Sequence, residues 1–222
     1  MKNIILQHWT GALGELEVLS SKNIKKYAEK LDADYRMLRG QVFRKELTPP
    51  CQKLYMLDEE FDKYDVVVML DPDMFTRKGM EDNIFDENGI GKTTEIQDRL
   101  LKSLQKCHPA LANDDYPYWG GAVRRMDRNL RRRLRKHINA ENWMPISKPY
   151  HFEDEGIMHR LMTLADVKDT TTLERKWSHG SFEKGIEDAA LIHIRTKIAA
   201  EGPKRTKIEN YRDLIKRGMI EE

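Results

Sequence analysis

Asp71 and Asp73, separated by Pro72, stand directly after the run Val66-Val67-Val68-Met69-Leu70. Two carboxylates on an extended dipeptide repel each other unless a cation or hydrogen-bond donors lie between them. Hard divalent ions prefer such oxygen ligands. The competing reading of an Asp-x-Asp triplet is a turn whose carboxylates cap backbone groups. The five apolar residues upstream favour chemistry, because ligands of open α/β sheets bind outside the carboxyl ends of buried strands.

The elements that would position this triplet follow from residue patterning. Asn3 to Gln7 reads as a first buried strand, too short in its apolar run for a signal peptide. Ser21 can cap a helix carrying Ile24, Tyr27, Ala28 and Leu31 at helical spacing. Tyr35 to Leu38 is a second strand, and Pro49-Pro50 opens a helix with Leu54, Leu57 and Phe61 on one face. Val66 to Leu70 is apolar without alternation, as expected where both faces of an α/β sheet are covered. The alternation of strands and helices predicts a single α/β domain with a mostly parallel, doubly wound sheet flanked by helices. Thr76 to Thr94 is polar and contains glycines, which suggests a lid. A helix with Ile96, Leu100, Leu101 and Leu104 follows, ended by His108-Pro109. Trp119 to Val123 reads as a strand or tight turn, Asp154 to Leu164 and the tail after Pro203 as helices, and Leu191 to Ile194 as a late strand.

In this order the motifs resemble those of GT-A glycosyltransferases, in particular the glycogenin-like, galactosyltransferase-related group. Val66 to Phe75, VVVMLDPDMF, resembles the family's strand and Asp-x-Asp motif. Lys53-Leu54 matches a lysine-leucine that opens the preceding helix. Trp119-Gly120-Gly121-Ala122-Val123 is similar to an Asn-x-Gly-Val segment, Asp154-Glu155-Gly156-Ile157-Met158 to an Asp-Gln-x-Leu-Leu segment, and Leu191-Ile192-His193-Ile194 to the strand that delivers a metal-binding histidine. Two positions depart from the pattern: Ala199 stands where a late lysine is expected, and Trp119 where an asparagine is.

The resemblance implies a GT-A (Rossmann-like) domain with a nucleotide-binding half over residues 1–75, a sugar and acceptor half over 76–202 and a helical tail over 203–222. It implies a nucleotide-diphosphate sugar, UDP-linked, as donor, a glycan or other hydroxyl as acceptor, and transfer with retention. Manganese or magnesium would bind Asp71, Asp73 and His193, and Asp71 could also meet the ribose. Gln7, Trp9 and Thr10 follow the first strand, where the family seats base and ribose; Trp9 could stack on the base or simply pack. Lys53, Arg195 and Lys197 could neutralise phosphate charge, and Gly120 and Gly121 would border the sugar. Asp154 and Glu155 would meet sugar or acceptor hydroxyls, one serving as general base if the enzyme inverts. As bare residues they are equally helix N-terminal acids favoured by the macrodipole.

Bulk properties exclude several other classes. The 222 residues are 39% hydrophobic and 34% charged, so a folded core is expected rather than disorder. A net charge of only +2 gives no global bias towards nucleic acid, and no nucleic-acid partner is expected. Cys51 and Cys107 fit reduced thiols in a cytoplasmic protein. No run is long enough to span a membrane, so any membrane contact would be peripheral. Gly89-Ile90-Gly91-Lys92-Thr93 lacks the earlier glycine of a P-loop, Asp86 standing there. Arg124 to His137 is the remaining signal. Val123, Met126, Leu130, Leu134 and Ile138 form a helical stripe that leaves a basic face. That face is either solvated, or holds an anionic acceptor or membrane surface, or makes the chain a non-catalytic α/β module for an anionic polymer.

Overall fold

A computed structural model describes residues 1–92, 95–138, 152–168, 171–196 and 204–221. Its central sheet holds β1 (Asn3–Trp9), β2 (Asp34–Arg39), β3 (Val66–Leu70) and β5 (Val123–Asp127) in the order β2-β1-β3-β5. β1 runs parallel to both β2 and β3, whereas β5 is antiparallel to β3. The two central strands are buried on both faces. Ile4, Leu6, Val67 and Met69 point to a core shared with Leu54, Leu57, Phe61, Ile157 and Leu161, while Ile5, Val68 and Leu70 meet Ile24, Tyr27 and Ala28. This double burial is why β3 shows no alternation. Because β2 and β3 lie on opposite sides of β1, the crevice at the carboxyl ends of β1 and β3 is a topological switch point.

A second sheet has the order β4 (Met74–Thr76), β7 (Leu191–His193), β6 (His179–Gly180). Only Asp71-Pro72-Asp73 separates β3 from β4, so the acidic triplet is the joint between the two sheets. The helix α5 (Lys207–Lys216) packs on this second sheet, with Tyr211 and Leu214 against Phe75, Ile192 and Ile194. The α/β fold is therefore as expected, with a central sheet that is parallel except for β5. No helix among the described residues is long and apolar enough to cross a membrane.

Several local expectations are corrected. α1 covers Glu15–Lys30 and starts at Gly14, so Ser21 is interior and its hydroxyl donates back to the Val18 carbonyl. The segment opened by Pro49-Pro50 is 3₁₀-helical over Pro49–Leu57, with a second such turn at Glu59–Lys63. Thr76 to Thr94 does not form a lid over its described part. Met80, Ile84, Phe85 and Ile90 are buried, and the Ile90 and Gly91 carbonyls accept from Arg125 and Leu173. Of the two readings of Trp119–Val123, the turn feeding a strand holds, and residues 124–127 continue that strand rather than starting a helix. Met126 faces the core in either conformation, so the stripe could not separate them; pairing with β3 decides the outcome. α2 (Glu95–Cys107) and α4 (Glu153–Leu164) fall where patterning put them.

The basic face is not free. On α3 (Arg128–Ile138), Arg128 pairs with Asp65 at 2.8 Å, and Arg132 and Arg135 both pair with Asp62. Arg133 donates to the Ala165 carbonyl at 2.8 Å. Arg131 is fully buried and donates to the carbonyls of Met126, Phe61 and Tyr64 at 2.8–2.9 Å. Burial lowers its pKa to about 10, still far above neutrality. Arg131 ties the turn at Phe61–Tyr64 to the end of β5. Arg131→Met removes three hydrogen bonds from a buried guanidinium and should cost about 1–3 kcal/mol. Arg132→Met, on a half-exposed ion pair, should cost under about 1 kcal/mol. Urea unfolding of the two variants measures the difference.

Candidate active site

The joint between the sheets is built by a turn at the end of β3. The Asp71 amide donates to the Ala122 carbonyl at 2.9 Å, and the Asp71 carbonyl accepts from Met74 at 3.2 Å and from the Gln7 side chain at 2.9 Å. Met74 pairs with His193 across β4 and β7, and the Ile194 amide donates to the Asp73 carbonyl at 2.9 Å. These ladders bring His193 beside the triplet. One ligand atom each of Asp71, Asp73 and His193 lie within 4.8 Å of one another.

Asp73 is the buried member of the three. Its Oδ1 is sealed from solvent and faces His193 Nε2 at 3.3 Å without the geometry of a hydrogen bond. Its Oδ2 accepts a short contact from the Lys207 ammonium at the start of α5. Burial alone would raise this carboxyl, but the His193 ring and the Lys207 ammonium outweigh it and hold the group well below the usual carboxylate range. Two carboxylates and an imidazole at a common point are a donor set for a divalent ion. The under-coordinated Asp73 Oδ1, with a cation already drawn to Oδ2, shows that the site fits one.

A second buried cluster adjoins the first through Asp71. Lys53 Nζ lies 2.8 Å from Asp71 Oδ1, 3.1 Å from Asp154 Oδ2 and 3.1 Å from the Gly121 carbonyl. An ammonium has three protons, and these acceptors use all of them. Burial works against the Lys53 charge, yet Asp154 and Asp71 outweigh it and raise its pKa. Arg124, fully buried on β5, reaches the same Asp154 oxygen at 3.1 Å, and its Nε and Nη1 have no hydrogen-bond partner. Burial would raise Asp154, but Lys53 and Arg124 hold it low. Glu155 goes the other way. Burial, and then the neighbouring Asp154 charge, push it up to about 7. Its Oε1 accepts from the Gly121 amide at 2.7 Å, and its Oε2 is buried without a partner.

The structure thus brings Lys53, Asp71, Asp73, Gly121, Asp154, Glu155 and His193 into one continuous region. Gln7 is fully buried, its amide committed to Ser20, the Asp71 carbonyl and the Tyr35 hydroxyl, so it braces the turn and has no group left for a ligand. Trp9 and Thr10 lie at the carboxyl end of β1. Trp9 is half-buried, its indole N–H on the Ala12 carbonyl, and the Thr10 hydroxyl has no partner. Gly120 donates to the Lys92 carbonyl at 3.1 Å. Arg195 stands off beside Phe182 and Glu183, its guanidinium 5.5 Å from the ring centroid and 3.6 Å from the carboxylate. Lys197 lies outside the described residues. Patterning missed Lys207 and Arg124. The Thr206-x-x-Glu209 capping box marks the start of α5 and so the place of Lys207, but no sequence signal sets that residue against Asp73.

No protein-family model matches the sequence, and no curated protein does. Solved structures do share its fold. A glycosyltransferase involved in the glycosylation of the major capsid of PBCV-1 is similar over 97% of this chain and 100% of its own, with a TM-score of 0.52 at 9% identity. The bifunctional glycosyltransferase WbbM, in its apo structure, is similar over 95% of this chain and 51% of its own, with a TM-score of 0.55 at 12% identity. The chain has the fold of glycosyltransferases.

Two predictions test this geometry. A Cβ on Gly121 would lie 2.8 Å from Asp154 Oδ2 and 3.2 Å from both Glu155 Oε1 and Lys53 Nζ. These atoms are mutually paired and cannot yield cheaply, so Gly121→Ala should lose about 1–3 kcal/mol in thermal or urea unfolding. For Glu155, a folded pKa raised from 4.5 to about 7 means that the native state binds more protons than the unfolded one between those values. The penalty is absent below that window, grows through it and is constant above. Glu155→Gln should therefore melt higher than wild type at pH 8, with the advantage vanishing by pH 4.

Proposed function

We propose that this chain is a metal-dependent glycosyltransferase that moves a sugar from a nucleotide-diphosphate donor, a UDP-sugar, to a hydroxyl of a glycan acceptor. The observation that carries the reading is the convergence of Asp71, Asp73 and His193 within 4.8 Å at the joint of a fold shared with glycosyltransferases. Manganese or magnesium held there would supply Lewis-acid stabilisation of the departing diphosphate. Asp71 would supply a carboxylate oxygen to the ion while Lys53 holds the carboxylate through its Oδ1. Trp9 and Thr10, at the carboxyl end of β1, take the base and ribose. Gly120 and Gly121 let the sugar approach the backbone, and Asp154 and Glu155 line the side where sugar and acceptor hydroxyls meet. Lys53 contributes by holding the carboxylates, and Arg195 and Lys197 by adding positive potential beside the diphosphate.

The glycogenin-like motifs favour retention. One observation favours inversion instead. Glu155 carries an unpartnered buried oxygen and a pKa of about 7, the condition of a general base near neutrality. The anomeric configuration of the product, read by proton NMR, separates the two. The anionic-polymer module loses its support, because the arginines it would use are engaged within the fold.

Hydrolysis of a panel of nucleotide sugars in manganese identifies the donor. Asp73→Asn should remove manganese-dependent binding of uridine diphosphate in calorimetry while leaving the circular dichroism spectrum unchanged. Wild-type affinity in that variant would overturn the metal assignment.

A further inference from the structure

We infer that Lys207 is a built-in counter-cation of the metal site, its ammonium neutralising Asp73 until a divalent ion takes that carboxylate, so that ion and lysine exchange on one group. This rests on the proposed metal site. The geometry is specific. Asp73 is 6% exposed, and the only basic side chains in contact with its carboxylate among the described residues are His193 at Oδ1 and Lys207 at Oδ2. The Lys207 side chain, by contrast, is 46% exposed and enters from the solvent side.

The backbone behind Lys207 is fixed. The capping box of Thr206 and Glu209 closes the helix start, and Asn210 donates to the Arg195 carbonyl at 2.5 Å. Tyr211 packs on Phe75 with ring centroids 4.9 Å apart. The ammonium therefore sits on a long, half-exposed side chain that can swing away while α5 stays in place. An ion held by Asp73 would sit directly against one of its oxygens. An ammonium on the other oxygen of the same carboxylate would then face a divalent charge at very short range, and it has open solvent to retreat to.

Exchange has a thermodynamic consequence. The ion alone must displace Lys207 and binds weakly. A bound diphosphate brings anionic oxygens that give the displaced ammonium a new partner, so ion and nucleotide bind more tightly together than apart. By linkage the effect is reciprocal.

Manganese titrations of the full chain, followed by calorimetry and by the spectrum of free manganese in electron paramagnetic resonance, test this without any turnover. Lys207→Met should bind manganese alone roughly tenfold more tightly than wild type, within the usual span of coupling between sites, and should gain less from added uridine diphosphate. Arg205→Met removes an equal charge next to α5 from a residue paired with Asp213, and should change the affinity far less. Equal manganese affinity in wild type and Lys207→Met, or an equal gain in both lysine and arginine variants, would overturn the exchange. If wild type binds manganese through Asp73 and Lys207→Met does not differ, only this inference falls. If no variant binds manganese even with uridine diphosphate, the metal reading falls with it.

Discussion

The buried ammonium of Lys53 is the constraint from which the site's other properties follow. It joins three parts of the chain that share no secondary structure: the end of β3 through Asp71, the approach to β5 through Gly121 and the first turn of α4 through Asp154. A charge this deep is tolerable only when paired and fully hydrogen-bonded, and removing it would leave two carboxylates uncompensated. The same contacts explain why residue 121 is glycine, since a side chain would enter the space the three groups share. They also bear on the protonation of Glu155. Lys53 and Arg124 supply two positive charges, Asp71 and Asp154 two negative ones, and a further anion has no buried cation left to balance it. Burial is the main cause of the raised pKa of Glu155, and the neighbouring Asp154 charge adds to it.

Asp71 belongs to both clusters and so connects them. One oxygen is pinned by Lys53, and the carboxylate also belongs to the group with Asp73 and His193. A ligand on the metal side therefore meets a carboxylate whose rotamer is already set from the other side. Pre-setting of this kind reduces the reorganisation needed on binding. The turn that carries it is braced in turn by Gln7, whose amide bridges α1, β2 and the Asp71 carbonyl. A residue that reads in sequence as a ligand contact is here part of the scaffold beneath the contact.

How far the sequence reveals this depends on whether the relevant physics is local. The β3 run and its acidic exit are local, and they were legible: five apolar residues require burial on both faces, and the carboxylates must lie at that strand's end. The core faces of α1 and of the 3₁₀ segment, Ile24, Tyr27 and Ala28 in one case and Leu54, Leu57 and Phe61 in the other, follow from periodicity in the same way. The conformation of residues 123–127 is not local. Val123 and Met126 share a helical stripe, but as strand residues they face opposite cores, and only the free edge of β3 decides between the two conformations. The placement of Lys207 against Asp73 is likewise set by the docking of α5 on the second sheet, which no spacing within α5 encodes. Motif order points to His193 for the metal, whereas Lys207 is set there only by the folded chain.

The arginine-rich stretch shows why charge density in a sequence is a poor guide to a binding face. The connection from Leu57 to Tyr64 is a succession of tight turns. Arg131 and Arg135 supply side-chain donors at Phe61, Tyr64 and Leu57, and Asp62 within the same turns collects Arg132 and Arg135. A guanidinium suits this task because its planar fork reaches several acceptors at once and stays charged when partly buried. The Arg135 and Arg132 contacts in turn hold the Asp62 carboxyl at about 2, so the network remains ionised across the physiological range. The cluster that looks like a surface for a polyanion is an internal brace that adds side-chain donors to these turns. It holds the turns leading into β3, and β3 in turn places Asp71 and Asp73.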